Sequence, residues 1–275
     1  MMTTDAAEGG RYFAADAEAD DELARLKLLE ALCDPWTFRC LDGIAVRQGW
    51  RCLEVGAGAG SVVRWLSERV GSAGRVVAVD LDPRFLGDLR APNVEVRRCD
   101  ITQDDIEPAA YDLVHCRALL MHMNDPADVL RRMAAALRPG GWLVAEDADF
   151  GIVESLDPAH PLAEAFDSCF RARIEFLSAT NVMDPCYGRV LPVHMESLRL
   201  IDLGNEAVTR VAHGASQLSR YLVQSFQLTD DAIIAKGGLA ESEVVDARRA
   251  LEDPAFMYRA ALMHSAWGRR PTGLA

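Results

Sequence analysis

The chain has 275 residues, 50% of them hydrophobic, enough for one large α/β domain or one domain carrying a modest insertion. A formal net charge of -13, with no run of Lys and Arg, works against a phosphate backbone as partner, so no nucleic acid is expected. Seven scattered cysteines without a CxxC pair, no apolar stretch of membrane-spanning length and an acidic start unlike a secretion signal fit a cytoplasmic protein with reduced thiols, monomer or homo-oligomer.

In chain order, Leu23, Leu26, Leu29 and Leu32 form one stripe and predict a helix over residues 21–32. Asp34-Pro35 interrupts the pattern, and a second short helix is expected to run toward Val46. Residues 1–49 therefore read as an N-terminal helical cap. From Arg51 short apolar runs alternate with helical ones, the pattern of βαβ units on a parallel sheet. Strands are expected at 51–55, 75–80, 93–98, 111–116 and 141–146. Helices are expected at 60–70 and 126–137, and Arg138-Pro139-Gly140-Gly141 reads as a turn. Beyond Phe150 the alternation lapses. Helices are predicted at 161–177, 217–228 and 241–251, strands at 198–203 and 208–211, and an element of undecided type at 256–267. The whole is read as residues 50–275 forming one α/β domain, with a cap insertion at about 151–197.

The chemistry concentrates at Glu54-Val55-Gly56-Ala57-Gly58-Ala59-Gly60, where an apolar strand runs into a turn without bulky side chains and then into a helix, so backbone can approach a ligand. A dinucleotide fold begins the same way. Its fingerprint, however, is Gly-x-Gly-x-x-Gly, and here Ser61 stands at the last glycine while Gly60 comes one residue early. Glu54 before the turn would repel a pyrophosphate and favour a cationic ligand. Asp80 ends the next strand, where a carboxylate can accept both ribose hydroxyls.

With these residues in order, the span 50–149 resembles the class I S-adenosylmethionine-dependent methyltransferases, especially the small-molecule branch related to ubiquinone and menaquinone methyltransferases. The fourth-strand segment Tyr111-Asp112-Leu113-Val114-His115-Cys116-Arg117 and the Leu137-Arg138-Pro139-Gly140-Gly141 turn carry the likeness further. The resemblance implies a Rossmann-like, doubly wound, mostly parallel seven-stranded sheet whose last strand is antiparallel, with residues 256–267 as the candidate. It implies S-adenosylmethionine as cofactor, its methionine part held by Glu54, Gly56, Gly58 and Gly60. The ribose falls to Asp80 and Leu81 and the adenine to Asp100 and Ile101. Cys116 and Arg117 on the fourth strand, and Tyr12 and Arg25 from the closing N-terminal helices, complete the expected cofactor contacts. The implied reaction is methylation at O, N or C of a small organic acceptor such as a secondary metabolite. An NAD-dependent oxidoreductase on a similar sheet and a non-catalytic cofactor-binding scaffold are the rival readings.

Methyl transfer from a sulfonium needs alignment in a dry pocket more than a dedicated base. A base matters when the acceptor arrives protonated, and His122, just after the fourth strand, is the candidate catalytic residue. Glu146, Asp147 and Asp149 are expected after the fifth strand, as a solvated acidic loop, as groups orienting the acceptor, or less readily as magnesium ligands; no metal site is assigned. Phe170, Tyr187 and His194 are substrate-contact candidates by position alone, and His115 is read as structural.

Overall fold

In the computed structural model the described residues are 18–273. Tyr12 lies outside them. Helix α1 spans Ala19–Gly43, followed by β1 (Arg51–Val55), α2 (Ser61–Val70), β2 (Arg75–Asp80), β3 (Val94–Arg98), β4 (Tyr111–Arg117), α3 (Pro126–Ala136) and β5 (Leu137–Asp149). The chain then forms β6 (Glu154–Ser155), α4 (Ala163–Ala179), α5 (Leu191–Glu196), β7 (Ile201–Val208), β8 (Val211–His213), α6 (Gln217–Gln227), α7 (Asp230–Ala235), α8 (Glu241–Glu252), β9 (Met257–Arg259) and β10 (Leu262–Arg269).

The main sheet has seven strands in the order β3-β2-β1-β4-β5-β10-β7, with β10 antiparallel to both neighbours and the first five strands parallel. The antiparallel strand begins within the predicted segment and runs past it to Arg269, but 256–267 holds two elements: β9 belongs to a separate three-stranded sheet, β6-β9-β8. Alternation along the strands builds two cores. Leu53, Val55, Val77 and Val79 pack toward α3 and α5, whereas Cys52, Val76 and Ala78 pack toward α1 and α2. Strand order reverses between β1 and β4, and the carboxyl ends of the strands at such a point form a crevice.

Three expectations change. The two N-terminal helices are one, with Pro35 inside it, and Arg210 donates to the carbonyl of Leu32 near the proline at 2.9 Å. The Arg138–Gly141 stretch is not a free turn. It joins β5, because Gly140 N–H donates to Arg270 O and Arg270 N–H to Gly141 O, both at 2.8 Å, across a register shift against β4. The roof of the crevice is also wider than 151–197. Its core takes Phe166 and Phe170 from α4, Leu222 and Phe226 from α6, Ala247 and Leu251 from α8, and Phe256 and Tyr258 around β9. Val208 pairs with Met263, so residues 209–261 are inserted between two adjacent antiparallel strands. Tyr187, Leu191 and Met195 instead pack on the main sheet. Among the described residues no helix is long and apolar enough to cross a membrane.

Candidate active site

A cavity of about 550 Å³ opens at the carboxyl ends of the parallel strands, within the range of small-molecule sites. One end is polar and built on the glycine turn. Gly56 and Gly60 have φ of +73° and +87°, left-handed values that a side chain resists. A Cβ at Gly56 would stand 3.0 Å from Leu119, and one at Gly60 would stand 3.1 Å from Leu86 and Leu89. Asp80 fixes the same turn: its Oδ2 accepts Gly58 N–H and its Oδ1 accepts Asp82 N–H, each at 2.9 Å. Burial raises its pKa, and those backbone donors oppose the shift. Each carboxylate oxygen retains acceptor capacity toward the cavity. Asp100 and Ile101 lie on the same wall, Asp100 being oriented by Thr102, which donates through N–H at 2.9 Å and Oγ1 at 2.6 Å.

Glu54 lines this end from β1, only 2% exposed, and lies 2.7 Å from Nδ1 of His115. On the other side Nε2 of His115 lies 3.4 Å from Glu146. Thr37 and Ser265 hydroxyls both donate to Glu146. Arg117 donates to Asp34 and Thr37 of α1 at 2.9 Å each. Helix α1 is thus fastened across the strand ends by polar side chains, including Glu30, which accepts Ser61 N–H at 2.7 Å.

The opposite end is apolar and aromatic. Met121, Phe150, Phe170, Leu177, Tyr221 and Phe226 line it, brought in by the loops after β4 and β5 and by α4 and α6. His122 faces the cavity here. Burial, then the charge of Arg25, lowers its pKa to about 3, so the imidazole is neutral at physiological pH. Arg25 is held bidentately by Glu22 at 2.8 Å through both Nε and Nη2 and donates to Tyr221 Oη at 3.4 Å. Arg173, 4% exposed, lies 3.8 Å over the Phe226 ring, donates to Thr229 Oγ1 at 2.6 Å and pairs with Asp230.

A methyltransferase-domain family matches residues 53–145, from β1 into β5. Methyltransferase str2 of Strobilurus tenacellus is 28% identical over 195 residues, covering 70% of this chain and 68% of that protein. Ubiquinone biosynthesis O-methyltransferase of Bordetella avium is 33% identical over 151 residues, 52% of this chain and 61% of that one. Residues 53–145 thus carry a methyltransferase domain, and the comparisons support a class I S-adenosylmethionine-dependent methyltransferase. In fold it is similar to phosphoethanolamine N-methyltransferase 2 of Haemonchus contortus, solved with phosphomonomethylethanolamine and S-adenosylhomocysteine (TM-score 0.61, 15% identity, 96% of this chain and 61% of that one). The chain spans about half to two thirds of the length of the curated relatives it matches.

The comparisons support S-adenosylmethionine as the cofactor, and the polar end fits it: carboxylates stand at the glycine turn, at the end of β2 and after β3, with backbone exposed between them. Of the predicted cofactor residues, Glu54, Gly56, Gly58, Asp80, Leu81, Asp100, Ile101 and Arg117 line the cavity. Gly60 and Cys116 do not. Gly60 sits behind the wall as the residue preceding α2, and Cys116 points into the core on the opposite face of β4 from His115. Arg25 lines the cavity on the His122 side. Phe170 reaches it, whereas Tyr187 is buried on the sheet with its hydroxyl 3.0 Å from His194 Nδ1.

The acidic residues of β5 form no solvated loop. The strand continues to Asp149 because β10 pairs beside it, and Glu146, Asp147 and Asp149 are all buried. Asp149 is clasped by Arg189 at 2.6 and 2.8 Å, and Asp147 accepts Leu120 N–H at 3.0 Å. None of the three lines the cavity, so acceptor orientation and magnesium ligation both lose their groups. Among the described residues no His, Cys, Asp and Glu cluster suits a metal. The sequence reading missed Thr37, Glu22 and Arg173. They come from helices whose patterns show only amphipathicity, and nothing local announces their partners.

Proposed function

We propose that the protein transfers a methyl group from S-adenosylmethionine to a small, largely apolar organic acceptor, with a hydroxyl oxygen as the methylated atom. The observation that carries this reading is one continuous cavity with carboxylates around a glycine turn at one end and an aromatic chamber at the other. When bound, S-adenosylmethionine supplies an electrophilic methyl. Glu54 would hold its ammonium, Asp80 the ribose hydroxyls, and Asp100 and Ile101 the adenine. Helices α1, α4 and α6 cover the chamber and exclude water, which favours alignment over acid–base chemistry.

His122 supports a hydroxyl acceptor as a neutral hydrogen-bond partner. An imidazole whose pKa lies near 3 accepts a bond from a hydroxyl yet resists taking its proton, so His122 orients rather than deprotonates. The O-methyltransferase names of relatives such as that of Bordetella avium support oxygen as the acceptor atom. Calorimetric titration with S-adenosylmethionine, S-adenosylhomocysteine and NADH tests the cofactor. Binding of the sulfonium compound and its product without response to NADH is expected, and the reverse would overturn the reading. Release of S-adenosylhomocysteine with a panel of apolar phenols, against matched amines and carbon acids, tests the acceptor atom.

A further inference from the structure

We propose that His115, clamped between Glu54 and Glu146 beneath the glycine turn, keeps Glu54 ionised and thereby makes the site prefer the cationic methyl donor over its uncharged-sulfur product. The inference rests on the cofactor reading above and concerns a residue that does not itself line the cavity. Geometry is its basis. His115, Glu54 and Glu146 are 0%, 2% and 1% exposed, and the imidazole presents one nitrogen to each carboxylate, at 2.7 and 3.4 Å.

The two carboxylates are not equivalent. Glu146 also receives the hydroxyls of Thr37 and Ser265, so its charge is supported from α1 and β10. Glu54 faces the cavity, and among the described residues His115 is the side chain that bonds it. Burial pushes the Glu54 carboxyl up, while His115 and then Arg117 pull it down. Burial also works against a charged imidazole, but Glu54 and Glu146 lift His115 to about 9, so it is an imidazolium at neutral pH. The charged groups around it are Glu54 on β1, Glu146 on β5, Arg117 on β4 and Asp34 on α1; Thr37 and Ser265 are neutral.

Of the three charges, that of the Glu54 carboxylate is the one that faces the cavity. Donor and product differ by one positive charge, the sulfonium, so an anionic wall favours the donor and lets the product go. With a neutral side chain at 115, Glu54 would be left buried beside a second carboxylate, and both burial and that neighbour favour its protonated form. The charge facing the cavity would be lost, and with it the site's preference.

The test is the ratio of dissociation constants for S-adenosylmethionine and S-adenosylhomocysteine, measured by calorimetry in the full chain. His115→Asn is expected to weaken the donor about tenfold and the product no more than about threefold at pH 6.5. In the variant the donor's advantage should return as pH is raised, because Glu54 then ionises unaided. His115→Asn and Glu54→Gln should be non-additive in this ratio, since both remove the same charge. Parallel weakening of both ligands, independent of pH and additive with Glu54→Gln, would overturn the proposal and leave His115 a packing residue. His115→Gln, with its melting curve, replaces the first variant should that one not fold. Absence of donor binding by the unaltered protein would sink the cofactor reading instead, so the two failures are distinct.

Discussion

Oδ2 of Asp80 accepts the N–H of Gly58 at 2.9 Å, joining the carboxylate at the end of β2 to the middle of the glycine turn after β1. One side chain thus shapes the loop and presents an acceptor to the cavity. Asp80→Ala should weaken S-adenosylmethionine binding by about ten- to a hundredfold, the loss of one or two hydrogen bonds to a charged group. Asp80→Asn should fall between, keeping one acceptor for the loop. Calorimetry on the two variants checks the order.

The glycines of the turn separate folding from binding. Gly60→Ala meets both a φ of +87° and Leu86 and Leu89 at 3.1 Å, so a stability loss of about 1–3 kcal/mol is expected in denaturant titration. Gly58 also has positive φ, +54°, but only Leu26 stands near an added Cβ, at 3.9 Å, and the residue lines the cavity. Gly58→Ala should therefore cost the fold less and cofactor affinity more.

His122→Ala should lower turnover while leaving S-adenosylmethionine affinity within about twofold, the signature of an interaction made to the acceptor. Because His122 stays neutral down to about pH 3, the rate profile should show no inflection near 6.5 that disappears in this variant. Such an inflection would restore the general-base role.

Two buried groups make stability fall as pH rises. Burial lifts the Asp147 carboxyl to about 8, and its two carboxylate neighbours lift His115 to about 9 against the effect of burial. Each holds a proton in the folded chain that the unfolded chain releases earlier. The contribution of Asp147 is complete below its model value of 3.8 and is lost as pH climbs through 8. That of His115 is complete below 6.5 and is lost through 9. The melting temperature should drop from pH 6 to 9. Asp147→Asn, which can still accept Leu120 N–H, should flatten the part of that drop below pH 8.

Sequence pattern gives β1 and β2 to the residue, because strict apolar runs bounded by Gly and Asp leave one register. The glycine turn and Asp80 are legible for the same reason: their chemistry lies within one βαβ unit. Cys116 misleads because a strand turns alternate residues to opposite faces. His115 takes the side of the carboxylates and Cys116 the core, and an order of residues does not say which. Pro35 reads as a break, yet tertiary contacts carry α1 through it. Asp147 and Asp149 read as loop because the extension of β5 depends on β10, more than a hundred residues away. The aromatic chamber is illegible for the same cause: Phe170 and Phe226 meet only through the folded roof, with their rings 5.1 Å apart.

Since Val208 and Met263 are partners across β7 and β10, the chain leaves the sheet and returns to it at nearly one point. The part of the roof formed by residues 209–261 is therefore a single excursion in topological terms: it can be exchanged for a segment of another length or shape while the strands keep their order and α4 stays with the segment after β5. Acceptor choice can change by replacing this excursion, with the methyl-donor machinery inherited intact.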